Sequence, residues 1–494
     1  MVDSWANRMA DGIPADGVPA DGIPADGARG AGARALGVDL HLDVGRHGVR
    51  RSLTDALREA VRGGRLGPGT RLPSSRTLAV DLGLARNTVA EAYADLVAEG
   101  WLTARQGSGT RVAERAVPRH ARRRAVNRPA RRLPRTAHDL TPGTPDTSSF
   151  PRAEWAKAAR RALLAAPNDA FGYGDTRGRP ELRTALADYL ARARGVHADP
   201  DRIVVCAGFQ QGLLLLGQVL HRRRSVQAVA VESYGLAHHW RLLTDEGLRI
   251  PPLDHDERGT AVGEPGPVGA LLLTAAHQFP LGDPLAPERR AQAVDWARRT
   301  GGLVIEDDYD GEFRYDRQSV GALQSLDPDR VAFLGTASKS LAPGLRLGWM
   351  VLPEDLAAEV AAAKGISEWA TGALDQLTLA EFLNCGAYDR HVRSMRLVYR
   401  RRRDELVAAL AERAPHVRIR GIAAGLHAVL ELPPGTEQSA LRAAAWHGLK
   451  VSGLGALRHP DTRVPGPDGL VVGYGRPAQH AWAGALEALC AALA

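Results

Sequence analysis

The segment GTASKSLAPGLRLGW, residues 335–349, follows the apolar run of residues 331–334 and decides the fold of the larger part of the chain. The apolar run predicts a buried strand, and the small residues after it predict a turn that places Lys339 at the strand's carboxyl end. Burial lowers the pKa of a lysine, which favours the neutral amine that forms an imine with an aldehyde. The segment therefore predicts a covalent anchor at a strand end.

The same segment supplies donors for a phosphate. Thr336 and Ser338 offer hydroxyl groups, and the planar guanidinium of Arg346 matches phosphate oxygens. The chain has three other lysines, Lys157, Lys364 and Lys450, and each of them fits a structural position better than a reactive one.

An acidic segment precedes this lysine by about 30 residues. The run GLVIEDDYD, residues 302–310, predicts a buried strand that ends in carboxylates. A carboxylate there holds a pyridine nitrogen protonated, while a phenol bonds a ring oxygen. Such a cluster also suits Mg²⁺, and only its pairing with Lys339 favours the pyridine interpretation.

A third segment, CAGFQQG at residues 206–212, follows an apolar strand and opens an apolar helix. A glycine turn at a helix N-terminus binds phosphate through backbone N–H groups. From Asp139 onward, strand-like runs alternate with helical ones, which predicts an α/β domain with a large, mostly parallel sheet and a small C-terminal subdomain.

The front of the chain has a different pattern. Ser52 is predicted to cap a first helix, a shorter helix ends at Gly83, and Thr88 opens a third helix through a capping box with Glu91. Two helices joined by a glycine turn indicate a helix-turn-helix, and residues 101–112 predict a strand–turn–strand wing.

Charge separates the two parts. Residues 1–137 hold 23 arginines against 14 acidic residues, whereas the remainder holds 41 basic and 42 acidic residues. This asymmetry suits a nucleic-acid-binding head, although a solvated arginine-rich surface would produce the same excess.

These patterns predict four regions. Residues 1–37 are low-complexity and disordered, 38–113 form the winged helix-turn-helix, 114–137 form an Arg/Pro-rich linker, and 138–494 form the α/β domain. The chain lacks a signal sequence and a long apolar span, so a cytoplasmic location and no membrane contact are expected. Three scattered cysteines argue against a disulfide framework, and no metal site is predicted.

The run GPGTRLPSSRTLAVDLGLARNTVAEAYADLVAEGWLTARQGSGTRV, residues 67–112, resembles the winged-helix domain of GntR-type regulators over its whole length. The resemblance implies double-stranded DNA as a partner. It implies that the following residues lie against the duplex: Arg71, Ser74, Ser75, Arg76, Arg86, Asn87, Thr88, Gln106, Gly107, Ser108, Gly109 and Thr110.

The region from Asp139 onward resembles the fold-type I aminotransferases, and the MocR/GabR-type regulators in particular. Matching pieces include FGYGDTRGRPELRTALADYL, TAAHQFPLGDPLAP and VIEDDYDGEFRY. The resemblance implies pyridoxal 5'-phosphate (PLP) as cofactor and a homodimer, with heads that either stay with their own body or cross to the partner's. It implies a Schiff base between PLP and Lys339, and cofactor contacts from Asp307, Tyr309, Thr336, Ser338, Arg346, Phe209, Gln210, His277 and Gln278, with Tyr173 reaching the neighbouring subunit's phosphate.

The effector site departs from the family pattern. Leu236 stands where an aromatic residue is usual, and His238 stands where the GABA-responsive members have arginine. Arg458 corresponds to a residue that grips an effector carboxylate, and the alternative is that His238 faces away on a helix and Arg241 or Arg476 fills this role. The expected effector is an amino compound or PLP itself, and not GABA.

Three functions are compatible with these features. The leading one is a PLP-dependent transcriptional regulator. The second is a working aminotransferase with an accessory DNA-binding head, which stays open because every residue for imine chemistry is present. The third is a repressor with a relic PLP scaffold, which the intact set of Lys339, Asp307 and Arg346 argues against.

Overall fold

The computed structural model describes residues 48–105, 109–114, 136–223, 226–256, 258–315, 320–366, 371–463 and 466–494. The chain divides into two compact units, Met1–Pro129 and Ala130–Ala494, here called the head and the body. The low-complexity segment and most of the linker predicted from sequence lie outside the described residues. Within those ranges no helix is both long enough and apolar enough to cross a membrane.

The head consists of three helices followed by a two-stranded hairpin. Its elements are α1 (Val49–Arg62), α2 (Ser75–Leu82), α3 (Arg86–Ala98), β1 (Leu102–Arg105) and β2 (Gly109–Val112). The strands are antiparallel, with Leu102 opposite Val112. Gly83 ends α2 in the left-handed conformation, at φ 64°, which lets the chain turn sharply into α3. This is the winged helix-turn-helix that the sequence predicts.

Two predicted helix starts in the head are wrong. Helix α1 begins at Val49 after Gly48, and the Ser52 amide already bonds to the Gly48 carbonyl, so Ser52 lies inside the first turn. Helix α3 begins at Arg86, because the Thr88 amide bonds to the Ala85 carbonyl and closes the turn two residues early. Thr88 therefore belongs to the first turn and does not cap it.

The apolar faces of the head's helices form one core. Leu53, Leu57 and Val61 recur on one side of α1 and are buried against Val89 and Leu96 of α3. Periodic burial of this kind is what fixes α3, because short helices are marginal without tertiary packing.

The body contains ten helices among the described residues. They are α4 (Arg152–Ala165), α5 (Pro180–Arg194), α6 (Phe209–Arg222), α7 (Ala237–Asp245), α8 (Pro287–Thr300), α9 (Glu354–Ile366), α10 (Ala373–Asn384), α11 (Ala387–Arg413), α12 (Glu437–Trp446) and α13 (Trp482–Leu493). Its strands are β3 (His138–Asp139), β4 (Ile203–Cys206), β5 (Val229–Glu232), β6 (Pro252–Leu253), β7 (His255–Asp256), β8 (Gly259–Thr260), β9 (Ala270–Leu273), β10 (Leu303–Asp308), β11 (Val331–Thr336), β12 (Gly348–Val351), β13 (Arg418–Arg420), β14 (Ala428–Glu431), β15 (Leu449–Lys450), β16 (Ser452–Gly453) and β17 (Gly469–Val472).

A seven-stranded sheet in the order β4-β12-β11-β10-β9-β5-β6 forms the centre of the body. The described pairings are parallel except those of β12, which runs antiparallel to β11 and β4. Helices cover both faces, so β4, β5, β9 and β12 are buried throughout, as expected of a mostly parallel sheet. The predicted α/β fold class is confirmed.

A second, antiparallel sheet in the order β13-β14-β17-β16 forms the C-terminal subdomain. It packs with α11 and α13 around a separate apolar cluster that includes Leu406, Leu430 and Leu489. The short β15 pairs in parallel with β3, so the first residues of the body are tied to this subdomain.

A buried ion pair anchors the body's first segment to the long helix α11. Arg402 donates to Asp146 over 3.1 Å, and both side chains are 1% exposed. The same guanidinium also donates to the carbonyl of Pro477 and to the Gln479 side chain. A buried cation with this many partners leaves an uncompensated carboxylate if it is removed.

We therefore expect Arg402→Met to destabilise the body by about 3–5 kcal/mol, the typical cost of breaking a buried ion pair from one side. Denaturant unfolding followed by tryptophan fluorescence measures this, because Trp482 lies 5.8 Å from the Arg402 guanidinium. The matched control is Arg400→Met on the same helix, whose 3.9 Å pair with Asp404 is solvent-exposed and contributes about 0–1 kcal/mol. Equal losses in the two variants would contradict the assignment.

Candidate functional site

One cavity of about 360 Å³ lies in the body where the parallel strands end. Its lining includes the last residue of β5, Glu232, together with Asp307 of β10 and Thr336 of β11. Ligands of open α/β sheets bind beyond the carboxyl ends of the strands, so the cavity occupies the expected place. The lining also brings in Lys339, Arg346 and Tyr309, three residues selected from sequence.

Lys339 lies in the turn that follows β11 and projects into the cavity. Its Nζ donates to the main-chain carbonyl of Gly143, near the start of the body. Burial lowers the pKa of Lys339, and the charges of Asp307 and Asp310 act against this shift. The amine is therefore easier to deprotonate than a surface lysine, which imine formation requires.

Asp307 provides the test of whether the cavity suits PLP. Burial raises the pKa of Asp307 well above its usual range, with Lys339 opposing the shift. Within the described parts of the chain its Oδ1 is buried and has no hydrogen-bond partner. A buried orphan acceptor facing a cavity is unfavourable unless a ligand pairs with it, and a protonated pyridine nitrogen is such a partner.

The turn after β4 and the first residues of α6 form a phosphate-sized cup. Gly208 has φ 87°, and a Cβ added to it would lie 3.4 Å from the Arg346 guanidinium. Phe209 and Gln210 open α6 and line the cavity, which directs the positive end of the helix dipole toward it. On the other side Ser338 N donates to Thr336 Oγ1 over 3.1 Å, and Thr336 Oγ1 donates to Ser338 Oγ over 2.8 Å, so the two hydroxyl groups hold each other in place.

The remaining predicted cofactor residues lie at the edge of the cavity or behind it. Tyr309 lines it and donates to the His277 carbonyl over 3.0 Å. His277 and Gln278 are buried in the next layer, where Gln278 donates to the carbonyls of Tyr234 and Phe279. Tyr173 is fully exposed, away from this protomer's own cavity lining.

The two predicted effector residues have different positions. His238 lines the cavity, and burial lowers its pKa with a smaller contribution from Lys339. Arg458 is absent from the lining formed by the described residues, and its Nη2 donates to the Thr462 carbonyl over 2.9 Å. The geometry therefore brings His238, but not the Arg458 guanidinium, to the cavity.

Sequence reasoning missed two imidazoles in the lining. Burial lowers the pKa of His239 to about 3 and the pKa of His427 to about 4, so both are neutral at pH 7. The His239 ring packs against Phe209, with the ring centres 4.7 Å apart. The signal for His239 was its place next to His238 in the first turn of α7. The signal for His427 was the run AAGLH, residues 423–427, which resembles the fold-type I aminotransferases but was given no site residue.

The sequence analysis named His277 as a cofactor contact but did not predict the buried group that this residue forms beside the cavity. His277, Asp310 and His427 bring potential ligand atoms within 4.8 Å of one another, although no metal site is predicted there. His277 Nδ1 and Asp310 Oδ2 are 2.9 Å apart and hydrogen-bond directly. Gly425 has φ 72°, and any Cβ on it would collide with both side chains, so the close approach requires glycine.

In the head, Arg86 and Asn87 are exposed at the N-terminus of α3, and Thr88 is half-buried beside them. Ser74 caps α2 by accepting from the Thr77 amide over 3.1 Å. Arg71 lies against Gly109 at the base of the wing, where a Cβ would be 3.2 Å from its Nε. Ser75, Arg76 and Thr110 also have partly or fully exposed positions, whereas Gln106, Gly107 and Ser108 lie outside the described residues.

The chain matches two protein families. Residues 49–112 match the family described as bacterial regulatory proteins, gntR family, and residues 138–445 match aminotransferase class I and II. A solved archaeal alanine:glyoxylate aminotransferase is 24% identical with a TM-score of 0.64, covering 72% of this chain and 89% of its own, which supports the fold of the body.

Curated relatives share both parts. The pyridoxine biosynthesis transcriptional regulator PdxR of Corynebacterium glutamicum is 34% identical and covers 86% of this chain and 91% of its own length. The probable rhizopine catabolism regulatory protein MocR of Rhizobium meliloti is 32% identical over 89% of this chain and 92% of its own.

A winged helix-turn-helix joined to an aminotransferase class I and II body defines a DNA-binding regulator whose cofactor is PLP. The chain belongs to the MocR-type transcriptional regulators of the GntR family.

The assignment of Lys339 has a direct test. Purified protein should absorb in the visible range through a covalent lysine–PLP linkage, and Lys339→Ala should lose this band because the remaining described amines are outside the cavity lining. Lys157→Ala, which removes an exposed lysine, is the control and should keep the band. A borohydride-reducible adduct that persists in Lys339→Ala, detected by mass spectrometry, would contradict the assignment.

Proposed function

We propose that the protein is a one-component transcriptional regulator that senses PLP itself, with Lys339 as the covalent anchor and the head as the DNA-binding output. The observation that carries this proposal is the charge of the cavity. Among the described lining residues, Lys339 and Arg346 are the cationic side chains, and the three imidazoles have lowered pKa values that keep them neutral.

An amino-acid effector needs a cation for its carboxylate in addition to one for the cofactor's phosphate. Arg346 lies against Gly208 at the phosphate turn, and Lys339 is required for the aldehyde. The Arg458 guanidinium, the predicted carboxylate grip, would have to leave the Thr462 carbonyl to reach a ligand. PLP carries a phosphate and an aldehyde and no carboxylate, so it matches the Arg346 guanidinium and the Lys339 amine. The name of the PdxR relative, which refers to pyridoxine biosynthesis, supports the same choice.

PLP supplies an aldehyde that reacts with amines and a pyridine ring that accepts electrons. The protein's own groups prepare for it. Lys339 presents an amine whose pKa is lowered by burial, and Asp307 offers its unpaired Oδ1 to hold a proton on the ring nitrogen. Arg346 and the N-terminus of α6 would bind the phosphate, and the apolar walls exclude water.

The contact between Lys339 and Gly143 supplies a route from the cavity toward the head. Gly143 lies a few residues after the predicted linker, and its carbonyl accepts from Lys339 Nζ. The nitrogen that holds Gly143 is the one that the aldehyde engages, so this hydrogen bond and cofactor loading compete. We propose that loading frees the segment around Gly143, up to the anchor at Asp146, and thereby shifts the population of DNA-binding states.

The proposed working unit is a homodimer acting in the cytosol, where its DNA target lies. The resemblance to the fold-type I aminotransferases supports this proposal, because it has Tyr173 reach the neighbouring subunit's phosphate, and the fully exposed Tyr173 is absent from its own protomer's cavity lining. Two heads would then bind two half-sites.

DNA recognition is proposed to come from the N-terminus of α3. Removing Arg86 and Asn87 together, as Arg86→Ala/Asn87→Ala, should relax sequence preference, since each good base contact contributes about 1–3 kcal/mol of discrimination. Binding to a randomised DNA pool, selected and sequenced, measures the preference. Replacing linker arginines such as Arg122 and Arg123, for which we propose contacts to DNA phosphates alone, is the comparison, and it should weaken binding to all sequences equally and flatten its salt dependence. An unchanged preference in the double variant would refute the placement.

The choice of effector is tested by measuring DNA affinity of the apo protein while PLP, GABA, taurine or an amino-acid panel is titrated. PLP alone should change the affinity, and Lys339→Ala should not respond to it. GABA should have no effect at concentrations where PLP saturates, because a neutral His238 replaces a charge-assisted contact that contributes about 1.5–3 kcal/mol.

Two results would count against this proposal. Tight GABA binding that survives Arg458→Ala would show that another group grips the carboxylate. Steady-state transamination of an amino acid and a keto acid at ordinary enzymatic rates would instead favour the aminotransferase function.

A further inference from the structure

A second lysine is buried in the body outside the cavity lining. Lys364 lies near the end of α9 and is 3% exposed. Its Nζ donates to two main-chain carbonyls, those of Thr176 and Val205, each over 2.7 Å. Burial lowers the pKa of Lys364, while the neighbouring Cys206 and Asp175 act against the shift. A buried ammonium carries a large desolvation penalty, which the hydrogen bonds to these two carbonyls offset only in part.

The two carbonyls belong to segments that meet at the edge of the large sheet. Val205 is in β4, the edge strand, and its amide donates to the Arg177 carbonyl over 2.7 Å. Gly178 presses on the same residue, since a Cβ there would lie 2.7 Å from the Val205 side chain. Lys364 thus completes the pairing of an edge that would otherwise leave the Val205 carbonyl without a strand partner.

This edge leads directly into the phosphate cup. β4 ends at Cys206, two residues before Gly208, which lies against the Arg346 guanidinium. Burial raises the pKa of the Cys206 thiol to about 12, and the charges of Lys364 and Arg346 both act to lower it. The Lys364 ammonium on α9 and the Arg346 guanidinium at the cavity wall therefore both act electrostatically on the same buried thiol.

We propose that Lys364 is a second cation of the phosphate cup: a positioning residue that fixes the β4 turn and strengthens phosphate binding through its buried charge. The proposal rests on the PLP site but not on PLP being the effector.

The physical reason is the low dielectric of the surroundings. Water and salt screen a buried charge much less than an exposed one, so it acts on a phosphate over distances at which a surface lysine has little effect. The backbone contacts add a geometric contribution, because they hold the turn whose N–H groups would face the phosphate. Both contributions concern the phosphate and not the aldehyde or the ring.

The test compares PLP with pyridoxal, which lacks the phosphate and is largely closed to an internal hemiacetal, so each ligand's dissociation constant is compared only between variant and wild type. Apo full-length protein is titrated with PLP and with pyridoxal, and absorbance gives the two dissociation constants. In Lys364→Met the PLP constant should rise about tenfold, the effect expected of one buried charge at moderate distance, while the pyridoxal constant stays within about twofold. Lys157→Met, which removes an exposed lysine, is the matched control and should change neither constant.

Equal loss of affinity for both ligands would overturn the proposal, because it would indicate a collapsed site and not a phosphate effect. An unchanged PLP constant would also overturn it. Lys364→Arg keeps the charge and covers the case in which the methionine variant does not fold. Lys364→Arg should retain the preference for PLP over pyridoxal. If this variant loses that preference, the charge at position 364 is excluded as the cause of the phosphate effect.

Failure of the proposed function would give a different result in this titration or in the DNA-affinity titration described above. If the wild-type protein forms no visible band with PLP, the PLP site itself is refuted. If the wild type binds PLP but DNA affinity does not respond, the sensing proposal fails while the role of Lys364 is still measured.

Discussion

Removal of water at the carboxyl ends of β10 and β11 is the constraint on which the chemistry of the body depends. The same burial lowers the pKa of Lys339 and raises the pKa of Asp307, so each group is driven toward its neutral form while the other's charge opposes the change. A ligand with an aldehyde and a basic nitrogen can therefore engage both groups, because Lys339 presents an amine to the aldehyde and Asp307 presents an unpaired oxygen to the nitrogen. The sheet makes this possible, because parallel strands bring residues from distant parts of the chain to one dry edge.

Much of the architecture could be predicted because the chemistry is local in sequence. Lys339, Arg346 and the hydroxyl groups between them come from one strand–turn segment, and the structure gathers them in one cavity with Asp307. The helix-turn-helix could be predicted for the same reason, since its glycine turn and apolar periodicity lie within about 30 residues. Helix starts were harder. Ser52 and Thr88 are good capping residues, but the preceding backbone had already closed a helical turn in each case.

Features that depend on contacts between distant segments could not be predicted. The Lys339–Gly143 hydrogen bond joins residues almost 200 positions apart, and no pattern around Gly143 indicates it. Lys364 lies in an alanine-rich helix with no motif, and only the tertiary structure shows that its ammonium reaches two carbonyls beside the phosphate turn. The position of the Arg458 side chain could not be predicted for a different reason, because it depends on the nearby Thr462 carbonyl, which the family pattern does not encode.

The backbone of Arg346 carries a further consequence. Its φ of 52° places it in the left-handed region, where, among the described residues, the other positions with positive φ are glycines. Holding a side-chain-bearing residue there costs on the order of 1 kcal/mol or more. Glycine at position 346 would relieve that strain and remove the guanidinium at once. Directed evolution that ranks variants by melting temperature alone would therefore reward the loss of a cationic side chain from the cavity lining, so a thermostability screen of this protein has to be paired with selection for cofactor retention.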